Sequence, residues 1–199
     1  RLDTHIYNVW ISEIMLQQTQ VNRVVPKFES FIRRFPNVKT IAEASLSEVL
    51  DEWIGLGYNR RAKFIKMAAD YVAENYNYEF PESFEELLKL PGIGKNTAAA
   101  ILVYSTNKPY AFIETNIRTV FIHCFLNEKI QVDDDDIIRL VQLTMDNDNP
   151  REWFWALMDY GTWIKKEYGN ISRKSSHYSK QSKFEGSFRQ KRARILKEI

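Results

Sequence analysis

Glu13 is the residue whose setting in the sequence points most clearly to chemistry. Residues 9–16 form an apolar stretch that reads as a helix. The neighbours of Glu13 one turn away are Val9, Trp10, Leu16 and Gln17. The carboxyl is therefore expected among mostly apolar side chains, where burial favours the protonated form and lets a protein hold a general acid near neutral pH. A structural alternative is that Glu13 caps a neighbouring helix or pairs with an arginine.

Residues 90–97, Leu-Pro-Gly-Ile-Gly-Lys-Asn-Thr, predict a turn between two helices. Pro91 ends the first helix, and Gly92 and Gly94 permit backbone angles closed to other residues and carry no Cβ. The amides that open the second helix would be bare and would lie at the positive end of the helix dipole, with the Lys95 charge beside them. That arrangement suits a phosphate. An ordinary corner between two helices explains Pro-Gly-x-Gly equally well.

An uncharged polar run and a tyrosine on a glycine turn are candidates for contacts with a polar partner. The run is Gln17, Gln18, Thr19 and Gln20, directly after the apolar stretch. Such residues are costly in a core when unpaired, whereas at a helix end their side chains can replace the hydrogen bonds of a displaced base. Tyr58 ends the turn Gly-Leu-Gly-Tyr, where its ring could stack on a partner. Simple packing is the alternative for Tyr58.

The composition limits the class of protein. The chain has 199 residues and is 44% hydrophobic, which suits one domain or two small lobes with a real core. No apolar run approaches the roughly 18 residues that span a membrane, and no signal-peptide pattern opens the chain, although a start without methionine suggests a trimmed end. Cys124 is the only cysteine, which excludes a disulfide framework and an all-cysteine metal site. We expect a soluble, cytoplasmic protein.

The net charge of +2 hides an uneven distribution. Residues 165–199 hold eleven Lys or Arg against three Asp or Glu, and the rest of the chain holds seventeen basic and twenty-three acidic residues. A basic tail with aromatic residues on a neutral-to-acidic body suggests a polyanionic partner. A solvated tail is the alternative.

The elements that would position these residues read almost entirely as helices. Helical patterns cover residues 21–35, 38–44, 47–54, 60–76, both arms of 82–106, 116–125, a segment from 133, and 152–168. Residues 110–114 are the best candidate for a strand and are too short to build a sheet. Because no sustained alternation of apolar and polar residues occurs, the sequence predicts an all-α fold.

Four motifs, in their order and spacing, are similar to those of one superfamily. They are Trp10-Ile-Ser-Glu-Ile-Met-Leu-Gln-Gln-Thr-Gln-Val21, Gly55-Leu-Gly-Tyr58, Leu90-Pro-Gly-Ile-Gly-Lys-Asn-Thr97 and Leu157-Met-Asp-Tyr-Gly161. Over roughly residues 7–165 the chain resembles the helix-hairpin-helix (HhH-GPD) DNA glycosylases, and most closely the MutY-type adenine glycosylases. The first motif is highly specific, whereas many DNA-binding proteins share the hairpin.

The resemblance implies a two-lobed helical fold with the active site in the cleft between the lobes, into which a target base is flipped. One lobe would be residues 22–125, with the helix-hairpin-helix at 82–106. The other would be residues 1–21 with 126–170, followed by a basic C-terminal segment at 171–199. The implied partner is double-stranded DNA with a mismatched or damaged base. We expect a monomer and no contact with a membrane.

The resemblance also assigns roles to single residues. Glu13 falls on the general acid that protonates adenine N7, and Asn116 on a polar active-site residue. Gln18 aligns with the amide that wedges into the base stack, and Tyr58 with the tyrosine that inserts beside the opposing purine. The residues expected to contact DNA are Gln17, Gln18, Thr19, Tyr58, Gly92, Gly94, Lys95, Asn96, Thr97 and Arg118. The backbone carbonyls of Leu90 and Ile93 can hold a monovalent cation, Na+ or K+.

The chain departs from the family pattern in three places. Glu114 stands for the catalytic aspartate, and its carboxylate can still stabilise or capture the oxocarbenium-like sugar. Its reach grows by about 1.5 Å, and a shift near 1 Å can cost about a hundredfold in rate. Asn96 replaces the lysine of strand-cleaving members, so we predict a monofunctional enzyme without lyase activity. Lys165 takes the place of the first of four cluster cysteines and the others are absent, so we expect no iron–sulfur cluster and no cofactor beyond the hairpin cation.

The basic tail is expected to take over part of the function of the family's C-terminal iron–sulfur region. Residues 172–194 interleave cations, hydroxyls and aromatic rings, and Gly186-Ser187 could start a short helix whose amides meet a phosphate. The expected DNA contacts there are Lys183, Ser187, Arg189, Lys191 and Arg192.

The predicted function is a base-excision-repair DNA glycosylase that hydrolyses the N-glycosidic bond of a flipped mismatched base, adenine opposite 8-oxoguanine or guanine. One alternative is a thymine or uracil mismatch glycosylase, since those enzymes share the framework and a glutamate at the position of Glu13. Another is a non-catalytic helix-hairpin-helix module, which the change to Glu114 would support. Retention of both carboxylates argues against this second alternative.

Overall fold

The computed structural model describes residues 4–178 and 185–198, and these residues are helical almost throughout. The helices are α1 (Ile6–Leu16), α2 (Val21–Arg34), α3 (Val38–Glu43), α4 (Leu46–Trp53), α5 (Arg60–Tyr76), α6 (Phe84–Leu87), α7 (Lys95–Thr106), α8 (Thr115–Phe125), α9 (Asp134–Thr144), α10 (Pro150–Tyr168) and α11 (Phe188–Glu198), with a 3-10 turn at Ile171–Lys174. The part of the chain that is described contains no strand, only a single bridge between Val132 and Ser175. The prediction of an all-α fold is confirmed.

Local sequence signals account for several helix ends. Asn37 and Ser45 each begin a helix with a capping box, in which the cap side chain accepts a hydrogen bond from the backbone N–H three residues on. Asn77 and Asn107 end α5 and α7 in the left-handed conformation that asparagine tolerates. The helix over residues 60–76 has the predicted bounds, and α2, α4, α8 and α10 agree with the predictions within two residues. α1 begins at Ile6, three residues before the predicted stretch.

The described chain divides into two compact units, named here by the helices they contain. The α7–α10 unit holds residues 4–9, Glu82–Leu88 and Ile93–Tyr178. The α2–α5 unit holds Trp10–Pro81, Lys89–Gly92 and residues 185–198. The units are defined by spatial contacts and the predicted lobes by motifs, and their bounds differ. The division into lobes stays a prediction.

The core of the α2–α5 unit lies where α3 and α4 pack on α5. Ile41, Val49, Trp53 and Ile65 are buried there, and the rings of Phe31 and Trp53 meet edge to face at 6.2 Å. Burying aromatic and branched side chains of this size supplies most of the driving force for such a small unit.

The core of the α7–α10 unit is built around α8, with α10 packed along it. Phe112, just before α8, stacks on Phe154 of α10 with ring centroids 4.2 Å apart. Residues 110–114, the best strand candidate, lie between α7 and α8 and form neither a strand nor a helix. None of the helices in residues 4–178 and 185–198 combines the length and apolar character needed to cross a membrane.

Candidate functional site

Glu114 lies at the start of α8, in the α7–α10 unit. Its backbone is extended (φ −125°, ψ 171°), and the helix begins at the next residue. Its side chain is half-buried. Burial raises the pKa of the Glu114 carboxyl, and the charges of Arg118 and Lys165 act in the opposite direction without cancelling this effect. The site therefore holds a carboxyl whose ionised form depends on nearby cations.

The two cations that act on Glu114 are held in different ways. Arg118 donates two hydrogen bonds to the Asp134 carboxylate, from Nε at 2.7 Å and from Nη2 at 2.6 Å, so its charge is largely balanced. Lys165 Nζ donates to Oδ1 of Asn116, a neutral amide. Burial lowers the pKa of the Lys165 ammonium, and Glu114 opposes that shift. Lys165 is thus the less compensated of the two cations. A DNA contact by Arg118, as predicted, would have to share or break the pair with Asp134.

Asn116 ties the start of α8 to α10. Its Nδ2 donates to the carbonyl oxygen of Met158 and to the hydroxyl of Thr162, both at 3.2 Å. With the bond from Lys165, the whole amide is engaged by α10. This geometry favours a role in placing Glu114 and Lys165, and the predicted catalytic role of Asn116 stays a prediction.

Gly161 makes this approach of the two helices possible. A Cβ at Gly161 would lie 2.4 Å from the Asn116 carbonyl oxygen and 2.8 Å from its Cβ, distances that packed atoms do not tolerate. The motif at 157–161 therefore acts through its glycine, which lets α10 lie against the first turn of α8. In the sequence, Lys165 stands out only as a replacement for a cysteine. Its position four residues after this glycine, on the same helix face, is the signal that could have shown its place in the site.

Glu13 lies on α1 and is half-buried. Of its neighbours one turn away in the α2–α5 unit, Trp10 is buried at 1% exposure, Leu16 is half-buried and Gln17 is exposed, so the expected apolar setting is present on the Trp10 side. The predicted role of general acid stays a prediction.

Two of the predicted DNA-contacting residues have an unusual backbone. Gln18 has φ 55° and Tyr58 has φ 50°, in the left-handed region that few residues with a Cβ adopt. Gln17 and Gln18 are exposed, Thr19 is half-buried, and Tyr58 is 37% exposed. Backbone strain of this kind concentrates at functional positions. Buried Arg61 contacts both segments, a position that its sequence context did not predict.

The hairpin glycines play different parts. Gly92 has φ 83°, and a Cβ there would lie 2.7 Å from the Phe64 Cβ, so both conformation and space require glycine. Gly94 has φ −97° and ψ 177°, which any residue adopts, and open space where a Cβ would stand. Gly92 thus uses the backbone freedom that glycine permits, whereas Gly94 does not.

The start of α7 is open to solvent. Gly94, Lys95 and Asn96 are exposed, Thr97 is half-buried, and glycine at the cap position supplies no side chain to the first amides. Asn96 Oδ1 accepts a bond of 3.4 Å from the backbone N–H of Ile113. The first helical bond runs from the Ala98 N–H to the Gly94 carbonyl at 2.9 Å. The cation site at the carbonyls of Leu90 and Ile93 stays a prediction.

The basic tail is only partly described, and Lys183 lies outside the described residues. α11 starts at Phe188, directly after the predicted Gly186-Ser187, whose Ser187 hydroxyl accepts a bond of 3.3 Å from the Gln190 N–H. Lys191 and Arg192 are exposed on this helix, and Arg189 lies on it as well. Within residues 172–178, Ser172 and Ser175 are instead buried against the protein, and residues 176–178 are exposed. DNA contacts of the tail stay a prediction.

The described residues hold no group of three or more His, Cys, Asp or Glu side chains that could bind a metal ion. The sequence itself has one cysteine, Cys124, which is exposed.

Comparison with known proteins identifies relatives that are similar to this chain in sequence. The chain is 40% identical over 162 residues to an adenine DNA glycosylase of Buchnera aphidicola subsp. Baizongia pistaciae, which covers 79% of this chain and 45% of the relative. It is 40% identical over 114 residues to an adenine DNA glycosylase of Mycolicibacterium smegmatis, covering 57% of this chain and 39% of the relative. The chain thus spans less than half the length of these relatives.

The fold is that of solved glycosylases. A thermostable thymine-DNA glycosylase superposes with a TM-score of 0.72 at 23% identity, over 89% of this chain and 86% of that one. Residues 11–142 match the family model of the HhH-GPD superfamily base excision DNA repair proteins, a range that includes Glu13, the hairpin and Glu114. The chain belongs to the HhH-GPD superfamily of base excision DNA repair proteins.

Proposed function

We propose that this chain is a monofunctional DNA N-glycosylase that removes a mismatched adenine by hydrolysing its N-glycosidic bond. The similar proteins named adenine DNA glycosylase support the choice of base. The observation that carries the reaction class is the half-buried Glu114, flanked by Arg118 and Lys165 at the start of α8. A monomer acting in the cytoplasm is part of the proposal.

In this proposal Glu114 acts on the sugar. Cleavage of the bond leaves positive charge at C1′. An ionised carboxylate nearby either stabilises that charge or forms a bond to C1′ as a nucleophile. Partial burial strengthens the interaction, since fewer waters screen it. Burial also disfavours the ionised form, and Lys165 and Arg118 counter that effect. The two cations therefore favour the ionised form of the desolvated carboxylate.

Glu13 acts on the base. Protonation of adenine N7 makes the base a better leaving group, and a half-buried glutamate can hold the required proton. Water then completes the hydrolysis at C1′. The exposed start of α7 with Lys95 binds a backbone phosphate, and Gln18 and Tyr58 enter the base stack.

The absence of strand cleavage follows from residue 96. Asn96 has an amide in place of the amine that forms a Schiff base, and its Oδ1 is already bonded to the Ile113 N–H. The opposing base, 8-oxoguanine or guanine, is the part of the proposal that depends on the resemblance alone.

Incubation with duplexes holding A:8-oxoG, A:G, T:G and U:G pairs, each split into samples with and without hot alkali, tests the proposal. We expect breaks only after alkali, and only at adenine. Breaks at thymine or uracil would show that the substrate base is not adenine. Breaks without alkali would contradict the monofunctional assignment. Tight binding without any break would support a DNA-binding module. Glu13→Gln and Glu114→Gln should abolish release, whereas Glu74→Gln, at an exposed glutamate of α5, should retain it.

A further inference from the structure

Arg61, in the first turn of α5, is 8% exposed and directs its guanidinium at backbone carbonyls. Nη1 donates to the carbonyl oxygens of Ile14 (2.8 Å), Met15 (2.8 Å) and Gln17 (2.7 Å). Nη2 donates to Thr19 Oγ1 (3.0 Å) and to the carbonyl oxygens of Leu56 (3.4 Å) and Gly57 (3.1 Å). One side chain thus joins two segments of the α2–α5 unit, which we call the α1 exit (residues 14–19) and the glycine turn (residues 55–58).

Among the residues that follow the five bonded carbonyls, Gln18 and Tyr58 are the two non-glycine residues with a left-handed backbone. Gln18 follows Gln17, and Tyr58 follows Gly57. A peptide plane carries both the carbonyl of one residue and the N–H of the next, so fixing the carbonyl limits the backbone angle φ of the following residue. Arg61 therefore restrains both strained positions through one planar group.

The chemistry of this contact requires arginine. The two terminal nitrogens of a guanidinium present four N–H donors in a rigid plane and make all six bonds of Arg61, whereas a lysine ammonium presents three donors from a point. The guanidinium carbon lies 5.2 Å from the Trp53 ring centroid and 5.5 Å from that of Tyr58. Burial lowers the pKa of Arg61 to about 10, so the group stays charged at neutral pH and binds carbonyl dipoles strongly.

We propose that Arg61 is a positioning residue that holds Gln18 and Tyr58 in the backbone geometry from which their side chains enter the base stack. The inference deepens the proposed function and rests on it for the role of these two side chains. Because one guanidinium positions both Gln18 and Tyr58, loss of the Arg61 side chain should disturb both of their contacts with DNA.

Hydrogen exchange of the free protein, followed by mass spectrometry, tests the restraint without DNA. In Arg61→Lys we expect peptides covering the α1 exit and the glycine turn to exchange about tenfold faster, with peptides of α8 and α10 unchanged. Arg60→Lys, at the exposed neighbouring arginine, is the matched control and should change neither segment. Unchanged exchange in both segments, or an equal rise throughout the chain, would overturn the proposal. If Arg61→Lys does not fold, Thr19→Val removes one acceptor and should speed exchange in the same segments to a smaller extent.

A duplex with 2-aminopurine beside an A:G pair tests the consequence for DNA, since unstacking raises its fluorescence. At saturating protein we expect Arg61→Lys to lose most of the rise seen with wild type. In the Gln18→Ala Tyr58→Ala background the same change should have no further effect, because residues that act as a unit are not additive. A full rise with Arg61→Lys, or no rise with wild type, contradicts the inference. Neither readout needs base removal, so a wild-type protein that unstacks DNA without releasing a base would refute the proposed function alone.

Discussion

Two helix starts in the α7–α10 unit have nearly the same backbone and opposite surroundings. The residue before α7 is Gly94 (φ −97°, ψ 177°), and the residue before α8 is Glu114 (φ −125°, ψ 171°), and neither makes a side-chain cap bond. At α7 the start is exposed and has no Cβ at the cap position. At α8 it is half-buried and carries a carboxyl.

The difference in burial suits the two helix starts to different roles. Both starts offer the positive end of a helix dipole. The exposed one is open to an anion from outside, which suits a DNA phosphate, whereas the half-buried one already holds its own acid among Arg118, Lys165 and Asn116. We therefore expect the start of α7 to contribute affinity for DNA and the start of α8 to contribute to the rate of base release. Substitutions at Gly92, Gly94, Gly161 and Lys165 should separate these two effects.

Gly92→Ala should have the largest effect on stability. The left-handed backbone and the contact with Phe64 both oppose a Cβ, so we expect a loss of about 2–4 kcal/mol in the free energy of unfolding. Gly94→Ala is the matched control, with open space and an ordinary backbone, and should cost about 0.5–1 kcal/mol as a weaker cap. Urea unfolding of both variants measures the difference. Equal losses would show that the turn is not built as described.

Gly161→Ala should disturb the α8 start directly. In a free helix alanine stabilises by about 1 kcal/mol over glycine. Here the added Cβ would meet the Asn116 carbonyl, so we expect a net loss of about 1–2 kcal/mol and a base-release rate lower by about tenfold. Thermal melts and single-turnover assays measure the two quantities. A more stable variant with normal rate would contradict the close approach of α8 and α10.

Lys165→Gln should have the smallest effect, a shift in pH dependence. Burial raises the pKa of Glu114, and Lys165 and Arg118 oppose this, so the active carboxylate is lost as pH falls through that raised pKa. Removing the Lys165 charge raises the pKa further and moves the acid limb of the rate profile to higher pH. Arg118 keeps part of its effect, limited by its pair with Asp134. Lys166→Gln, at the exposed neighbouring lysine, should leave the acid limb of the pH–rate profile at its wild-type position. If the acid limb lies at the same pH in both variants, Lys165 does not act on Glu114.

Much of the fold could be predicted because its signals are local. The spacing of apolar residues determines where a helix runs, and the capping residues Asn37 and Ser45 determine where one begins. Both signals act on residues only a few positions away. The motifs likewise placed Glu13 and Glu114 among the candidates. These features depend on residues close in sequence or on a pattern that can be matched directly.

The supports of the site could not be predicted in the same way. Arg61 binds carbonyl oxygens 44 to 47 residues away in sequence, and carbonyls are the same for every residue type. Lys165 meets Asn116 across 49 residues. Whether a glycine adopts a left-handed backbone also depends on the path of the turn in space, so the sequence could not separate Gly92, which does, from Gly94, which does not.

One crossed measurement tests the central claim that the α7 start binds and the α8 start reacts. Affinity for an A:G duplex and the single-turnover rate of base release at saturating protein would be measured for Gly94→Ala and Glu114→Gln. We expect Gly94→Ala to weaken binding by about tenfold and to flatten its salt dependence, with a rate within about twofold of wild type. Glu114→Gln should bind within about threefold of wild type and release base at least about a hundredfold more slowly. A Glu114→Gln protein with the full rate would contradict the account.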